Sequence, residues 1–320
     1  MNDFKKAKQL ILNDELVAFP TETVYGLGAN ALSKIAVEKI FKTKERPFNN
    51  PLIVHLHSSL QIKQIADLTN LKILDRFNKI AHLLPGPLTV ILPKKDCIPE
   101  IVSAGLKTVG VRIPDHPVAL QFLKECRLPI AAPSANKFMG VSPTDKEAVL
   151  DEFKNLNIFC LDGGDSKIGI ESTIINLCST EVELLRPGFI TFKELKEIFP
   201  NIIRASKNVN QSESKTSPGQ FRKHYSPNTP LFFKDQIKNL DKTLNFGLIS
   251  FNNDEHNLSQ KPKFHKIISK DNNLNEISKM LFKALREFDN LKLDYILVDK
   301  CSQSGVGFAI MNRLDKAVTN

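Results

Sequence analysis

Lys42-Thr-Lys-Glu-Arg-Pro-Phe-Asn-Asn-Pro-Leu-Ile-Val-His-Leu56 runs a basic turn directly into a short apolar strand. Lys42, Lys44 and Arg46 place three cations within five residues, and Pro47 and Pro51 oppose a helix. Leu52, Ile53, Val54 and Leu56 read as a buried strand, with His55 expected to face away from Val54. A rigid basic loop at a strand edge suits an anion: Lys supplies a compact charge, Arg46 a planar fork, and Asn49 and Asn50 amides that fix orientation. Alone, such a cluster is more often a solvated surface, so its meaning depends on the rest of the chain.

Upstream, Phe4, Ala7, Leu10 and Ile11 share one face of a first helix, and the strand Leu16-Val-Ala-Phe19 ends at Pro20. It delivers Thr21, Glu22 and Thr23 to a loop followed by Tyr25-Gly-Leu-Gly28, read as a strand-to-helix turn, with a helix from Ser33. Downstream, β-rich runs fall at 88–92, 109–113, 129–132, 158–161, 173–177 and 182–185, with helices at 62–66 and 74–83. Ser142-Pro143 is expected to open a helix, Ser as N-cap and Pro at its first position, and Thr191-Phe-Lys-Glu194 is a capping box. This irregular mixture predicts an α/β fold with an open, twisted mixed sheet. From about Ala205 to Tyr225 the hydrophobic pattern lapses, as in a linker. Beyond it, 231–233, 247–251, an amphipathic helix over 277–288 and 295–298 describe a second, smaller α/β unit. The division is 1–204, 205–230 and 231–320.

A chain of 320 residues suits two domains, and no apolar run approaches the roughly 18 residues of a membrane span. The N-terminus reads as a helix rather than a signal peptide, so the expected home is the cytoplasm. Five scattered cysteines lack CxxC spacing and support neither a disulfide framework nor a structural zinc site. Net charge is +9, unevenly shared: residues 1–200 carry 25 Lys/Arg against 23 Asp/Glu, residues 201–320 carry 19 against 12. That excess favours anionic partners such as nucleotide or RNA, although a lysine-rich genome would give the same bias.

Thr21 to Gly28 is hydroxyl-rich and glycine-punctuated just after a strand, where open α/β sheets bind ligands. Its glycines lack GxGxxG spacing and no GxxxxGK[ST] loop occurs, so a nucleotide would be held by another device. Asp162-Gly-Gly164 and Gly169-Ile-Glu-Ser-Thr173 again set glycines beside hydroxyls, or are simply turns. Arg112 lies inside an apolar strand and Arg186 just past one. Both need anionic partners, from a ligand or from the protein itself.

These residues reach a resemblance. Pro20-Thr-Glu-Thr-Val-Tyr-Gly-Leu-Gly28, Lys44-Glu-Arg-Pro47 with Asn50-Pro-Leu-Ile-Val-His55, Pro85-Gly-Pro-Leu-Thr89, Val111-Arg-Ile-Pro114, Ala132-Pro-Ser-Ala-Asn136, Gly169-Ile-Glu-Ser-Thr-Ile174 and Leu185-Arg-Pro-Gly188 follow one another as in the threonylcarbamoyl-AMP synthase family, whose catalytic module is the YrdC-like domain. Ser217-Pro-Gly219 and His224-Tyr-Ser-Pro227 resemble the linker of that family's two-domain branch, and Gly305-Val-Gly-Phe-Ala-Ile-Met-Asn-Arg-Leu314 resembles the end of its Rossmann-like accessory domain. The chain departs at Leu84, where an aromatic is expected, at Glu45, where glycine is commoner, and at Gln220, where methionine is usual.

The resemblance implies that L-threonine, bicarbonate and ATP become threonylcarbamoyl-AMP and pyrophosphate, the product passing to a transferase that modifies tRNA beside the anticodon. It places Thr23, His55, Arg112, Ala132 and Ser172 around threonine. It places Arg46, Asn50, Thr108, Ser134, Asn136, Ser142, Arg186, His224 and Tyr225 on ATP, with Lys44 close to the phosphates and Lys44 and Arg46 as the catalytic pair. Mg²⁺ is expected on the triphosphate with no metal ligand from the protein, and the His224 segment as a closing lid or a plain tether. Two rivals stand beside this: an RNA-binding module using the basic surface without ATP chemistry, and a carbamoyl-transfer enzyme of hydrogenase maturation. The second would need an acylphosphatase-like segment and zinc-finger cysteines upstream. Weak RNA contact is compatible with the synthase, and no membrane partner is expected.

Overall fold

The computed structural model describes residues 3–205, 223–237, 243–253, 258 and 260–319. The expectations that fall on Ser217-Pro-Gly219, Gln220 and the rest of 206–222 therefore lie outside the described residues.

Helix α1 (Asp3–Leu12) leads into β1 (Val17–Phe19), β2 (Gly26–Asn30), α2 (Lys34–Lys44), β3 (Ile53–His55), α3 (Ile62–Ile65), α4 (Leu71–Ile80) and β4 (Leu88–Pro93). Then come α5 (Glu100–Ser103), β5 (Thr108–Arg112), α6 (Pro117–Cys126), β6 (Ile130–Ala131), α7 (Lys146–Glu152), β7 (Phe159–Cys160), β8 (Thr173–Asn176), β9 (Glu183–Arg186), α8 (Phe192–Ile198) and β10 (Ile203–Arg204). Among the described residues these strands form one sheet in the order β10-β9-β8-β4-β5-β3-β6-β2-β1-β7. It is mixed: β3 runs parallel to β5 and antiparallel to β6, and β4 antiparallel to β5.

Three local expectations are corrected. Lys42 and Lys44 are not in a turn but in the last turn of α2, which Glu45 closes at φ 54°. The basic loop thus starts one helical turn later. The Tyr25–Gly28 stretch is not a strand-to-helix turn: Gly26 to Gly28 pair with β1, Val17 opposite Gly28. Gly28 is needed for close approach, since a Cβ there would lie 2.9 Å from Phe19 and from Ile130. Nor does a helix open at Ser142-Pro143: α7 starts at Lys146 with Asp145 as N-cap, accepting from the Ala148 amide at 2.8 Å. The Ser142 hydroxyl is instead spent on Glu171 and the Pro143 carbonyl on the Tyr25 amide, so neither is free to begin a helix. The Thr191 capping box is present as expected.

The second unit is a parallel four-stranded sheet in the order β11-β14-β12-β13, from β11 (Leu231–Phe233), β12 (Phe246–Ser250), β13 (Phe264–Ile267) and β14 (Tyr295–Val298), with α9 (Leu274–Asp289) and α10 (Gly307–Ala317). Its core is shared with the larger sheet's loops. Val24, Val141 and Ile170 pack into one buried cluster with Tyr225, Ile277, Leu281, Phe282 and Leu314. At Gly169, φ is 81° and an added Cβ would sit 2.4 Å from the Ser278 carbonyl oxygen of α9. No side chain fits between the loop and the helix, so this glycine sets how close the two units come. Ion pairs ring the contact: Lys283 to Asp165 at 2.8 Å and Arg286 to Glu152 at 2.8 Å.

Candidate active site

The floor of the site follows from strand alternation. Ile53 and His55, two residues apart on β3, share one face, while Val54 points into the main core. His55 is the register partner of Arg112 on β5, and Arg112 is the partner of Thr89 on β4. Beta strand β8 begins beside Leu88, which brings Ser172 to Thr89 with their hydroxyl oxygens 2.7 Å apart. On the other flank, the 132–136 segment packs along β2, Gly26 bridging to Ser134. The pocket so enclosed is lined by Thr21, Val24, Tyr25, Gly26, Arg46, Ile53, His55, Arg112, Ala132, Pro133, Ser134, Glu171, Ser172, Arg186, His224 and Tyr225.

Nine of the residues expected from sequence meet here: His55, Arg112, Ala132 and Ser172, and Arg46, Ser134, Arg186, His224 and Tyr225. The others lie behind the wall or away from it. Thr23 is fully buried with its hydroxyl 2.9 Å from that of Thr21, and it is Thr21 that borders the pocket. Asn136 is held in its own loop, donating to the Lys137 and Gly140 carbonyls and accepting from Ser134 at 2.5 Å. Ser142 reaches the wall only through Glu171, to which it donates at 2.6 Å. Thr108 opens β5 opposite Pro93, four residues and roughly 13 Å of strand from Arg112.

Lys44 is 1% exposed, and its ammonium donates to the Ser134 carbonyl at 2.7 Å and also to the Asn136 carbonyl. Burial, aided by the Arg46 charge, lowers its proton affinity well below the ordinary lysine value. It fastens the 132–136 loop from beneath rather than facing the cavity.

The strongest electrostatic feature is a pair of buried guanidiniums. Arg46 donates to the Asn50 carbonyl at 3.2 Å and the Pro51 carbonyl at 2.9 Å. Arg186 donates to the Ser172 carbonyl and hydroxyl, both at 3.1 Å. Burial and the neighbouring Arg186 charge pull Arg46 down to about 9. Both are under 8% exposed, and among the described residues neither forms a salt bridge with a carboxylate. Beside them, the amide oxygen and nitrogen of Asn50 are buried without partners. Uncompensated buried cations and an orphaned amide are what a site shaped for an anion leaves exposed to its ligand.

Other charges are matched inside the protein. Arg112 pairs with Glu22 at 2.8 Å, both side chains 5% exposed. Glu171 accepts from Ser142 with one oxygen and from Arg313 with the other, at 2.9 Å. Burial would raise its pKa, but the Arg313 and Arg186 charges and the two hydrogen bonds hold it down at about 2. His55 and His224 are each pushed down to about 3, chiefly by burial, with Arg112 adding to the effect on His55. The roof comes from the start of the second unit: the His224 amide donates to the Lys316 carbonyl at 3.0 Å, and Tyr225, at φ 63°, stacks on Phe282 with ring centroids 5.6 Å apart.

Sequence reasoning passed over Glu22, Glu171 and Arg313. All three lie inside quoted motifs: Glu22 and Glu171 are lone acids next to hydroxyls, a signal that they have cationic partners, whereas nothing around Arg313 pointed to a partner 142 positions away. Among the described residues no group of three or more His, Cys, Asp or Glu is placed to hold a metal ion, and no helix is long and apolar enough to cross a membrane.

Comparison with known proteins follows the same division. Residues 9–188 match the family model Sua5_yciO_yrdC, described as "Telomere recombination", and residues 190–319 match "Threonylcarbamoyl-AMP synthase, C-terminal domain". The chain is 39% identical to a threonylcarbamoyl-AMP synthase of Bacillus subtilis over 98% of its length and 92% of the relative's, and 36% identical to one of Pyrococcus abyssi over 97% and 92%. The crystal structure of P. abyssi Sua5 complexed with L-threonine superposes with a TM-score of 0.89 at 35% identity, covering 98% of this chain and 93% of that one. Full-length HypF in its phosphate- and nucleotide-bound form shares the fold over 58% of this chain but 29% of its own, with a TM-score of 0.50 at 21% identity.

Proposed function

The chain belongs to the threonylcarbamoyl-AMP synthase family, and we propose that it makes threonylcarbamoyl-AMP and pyrophosphate from L-threonine, bicarbonate and ATP. The observation that carries this reading is the pair of buried, uncompensated guanidiniums of Arg46 and Arg186 beside the orphaned Asn50 amide. They suit a triphosphate that supplies the missing negative charge.

The chemistry is one of assembling anions. Threonine's amine attacks bicarbonate to give a carbamate with loss of water; a carbamate oxygen then attacks the α-phosphorus of ATP, and the bond to the β-phosphate oxygen breaks as pyrophosphate leaves. Every reactant repels the next, so the protein's work is to hold them together out of water and stabilise charge on the transferring phosphorus. On this reading His55, Arg112, Ala132 and Ser172, all in the pocket lining, would receive threonine, with Arg112 toward its carboxylate. Arg46, Arg186, Ser134, His224 and Tyr225 surround the remainder, where the nucleotide would lie. Thr23, Asn136 and Ser142 support those walls, the unpartnered Asn50 amide lies beside Arg46 on the nucleotide side, and Lys44 fixes the loop that presents Ser134. Thr108 has no such place in this arrangement.

Mg²⁺ enters as part of the ATP substrate. The only carboxylate lining the pocket among the described residues, Glu171, has one oxygen engaged by Ser142 and the other by Arg313, so the ion's coordination falls to the phosphates. On this reading residues 1–204 serve as the catalytic module and 231–320 as the accessory one, and the described part of the segment between them brings His224 and Tyr225 over the pocket. The product would pass, in the cytoplasm, to a transferase acting on tRNA, and the basic second unit leaves room for weak RNA contact. Arg46→Ala and Arg186→Ala test the reading: each should weaken ATP binding by roughly tenfold or more, in folded protein. Unchanged ATP affinity in both would refute it.

A further inference from the structure

Arg313, on α10 of the second unit, is 1% exposed and is among the largest fully buried side chains of the described residues. Apart from one bond to the Asn312 side-chain oxygen of its own helix at 3.3 Å, its polar reach is spent across the interface. Its Nε donates to Glu171 Oε2 at 2.9 Å, one terminal nitrogen to the Glu171 carbonyl at 3.3 Å, the other to the Pro187 carbonyl at 2.8 Å. Its guanidinium carbon lies 5.3 Å from the ring centroid of Tyr225, the roof residue. Glu171 is the pocket's acidic wall residue, and its neighbours in charge are Arg313 and Arg186.

We propose that Arg313 is a positioning residue for the nucleotide, contributed by the C-terminal domain: by neutralising Glu171 it leaves Arg186, and behind it Arg46, uncommitted for the phosphates of ATP. A bare carboxylate in that wall would do two things. It would repel the triphosphate directly, and it would draw the nearby Arg186 guanidinium into a protein ion pair, removing the cation that the ligand needs. ATP affinity thereby becomes dependent on docking of a domain that, among the described residues of 231–320, places no side chain of its own in the pocket lining. This inference rests on the reading of the pocket as an ATP site.

The test compares ATP binding by calorimetry, without threonine, in full-length wild type, Arg313→Met, Arg313→Lys, Glu171→Gln and the Glu171→Gln/Arg313→Met double variant. Arg313→Met should weaken ATP by roughly tenfold or more, and the double variant should recover to within about threefold of Glu171→Gln alone, because removing the carboxylate removes the need for its counterion. A double variant as weak as Arg313→Met would show that Arg313 merely docks the domain and would overturn the proposal. The double variant replaces both buried charges together and is the one best able to fold. Arg313→Lys keeps the charge without the planar fork and should bind ATP more tightly than Arg313→Met. If Arg313→Met does not fold, Glu171→Gln and the double variant carry the test: they should bind ATP within about threefold of each other, whereas a double variant roughly tenfold weaker would overturn the proposal. Wild-type protein that binds no ATP at all would instead remove the nucleotide reading, and this inference with it.

Discussion

Arg112 and Glu22 form an ion pair at 2.8 Å with both side chains 5% exposed, so the cation assigned to threonine's carboxylate already has a carboxylate beside it. Threonine must share or displace that partner. Arg112→Lys keeps the charge and the pairing with Glu22 but loses the planar fork. It should weaken threonine binding by roughly tenfold while leaving ATP binding, titrated separately, unchanged. Equal weakening of both would contradict the division of the pocket. Arg112→Ala should instead destabilise the fold by about 3–5 kcal/mol, since it strands a buried carboxylate.

Lys44 acts through the loop it fastens. Lys44→Met preserves length but leaves the Ser134 and Asn136 carbonyls without their donor. Denaturant titration should show a loss of about 2–5 kcal/mol, with weaker ATP binding at temperatures where the variant is folded. A variant of undiminished stability would mean that the ammonium serves the ligand and not the loop.

Glu45 explains its own oddity. It ends α2 at φ 54°, in the left-handed region where glycine carries no steric penalty, and its carboxylate makes only an exposed pair with Lys137 at 2.7 Å. Glu45→Gly should therefore raise stability by about 0.5–1 kcal/mol despite the lost pair. A lower denaturation midpoint would count against this.

His55 and His224 make stability depend on pH. Both are held down to about 3 from an ordinary 6.5, so in the fold they stay neutral while the unfolded chain takes up protons. Their contribution is complete above pH 6.5 and is lost as pH falls toward 3. Between pH 6 and 5 the unfolding free energy should drop by up to about 1.4 kcal/mol per pH unit for each histidine. His224→Gln should flatten that slope, and an equal slope in the variant would show that His224 is not the titrating group.

The strand pattern around His55 made much of this legible. Alternation alone put His55 and Val54 on opposite faces, and an arginine in an apolar strand announced a buried charge at Arg112. What the sequence could not carry was the set of partners. Arg112 turned out to face Glu22, ninety positions upstream in the loop after β1, and Arg313 to face Glu171, pairings created only when the sheet closes and the second unit docks. Lys44 reads as a cation close to the phosphates, because nothing local reveals that two carbonyls of the 132–136 loop will meet its ammonium. The Ser142-Pro143 signal failed for the same reason: a tertiary demand from Glu171 outweighed a local preference for starting a helix.

The most direct measurement of the central claim is product formation from ATP labelled at its α-phosphate, in complete mixtures and with threonine or bicarbonate omitted in turn. The account predicts pyrophosphate and a labile adenylate carrying the label in equal amounts, both requiring threonine and bicarbonate, and both lost in Arg46→Ala. Release of inorganic phosphate with no labelled adenylate, or pyrophosphate formed at the same rate without threonine, would contradict it.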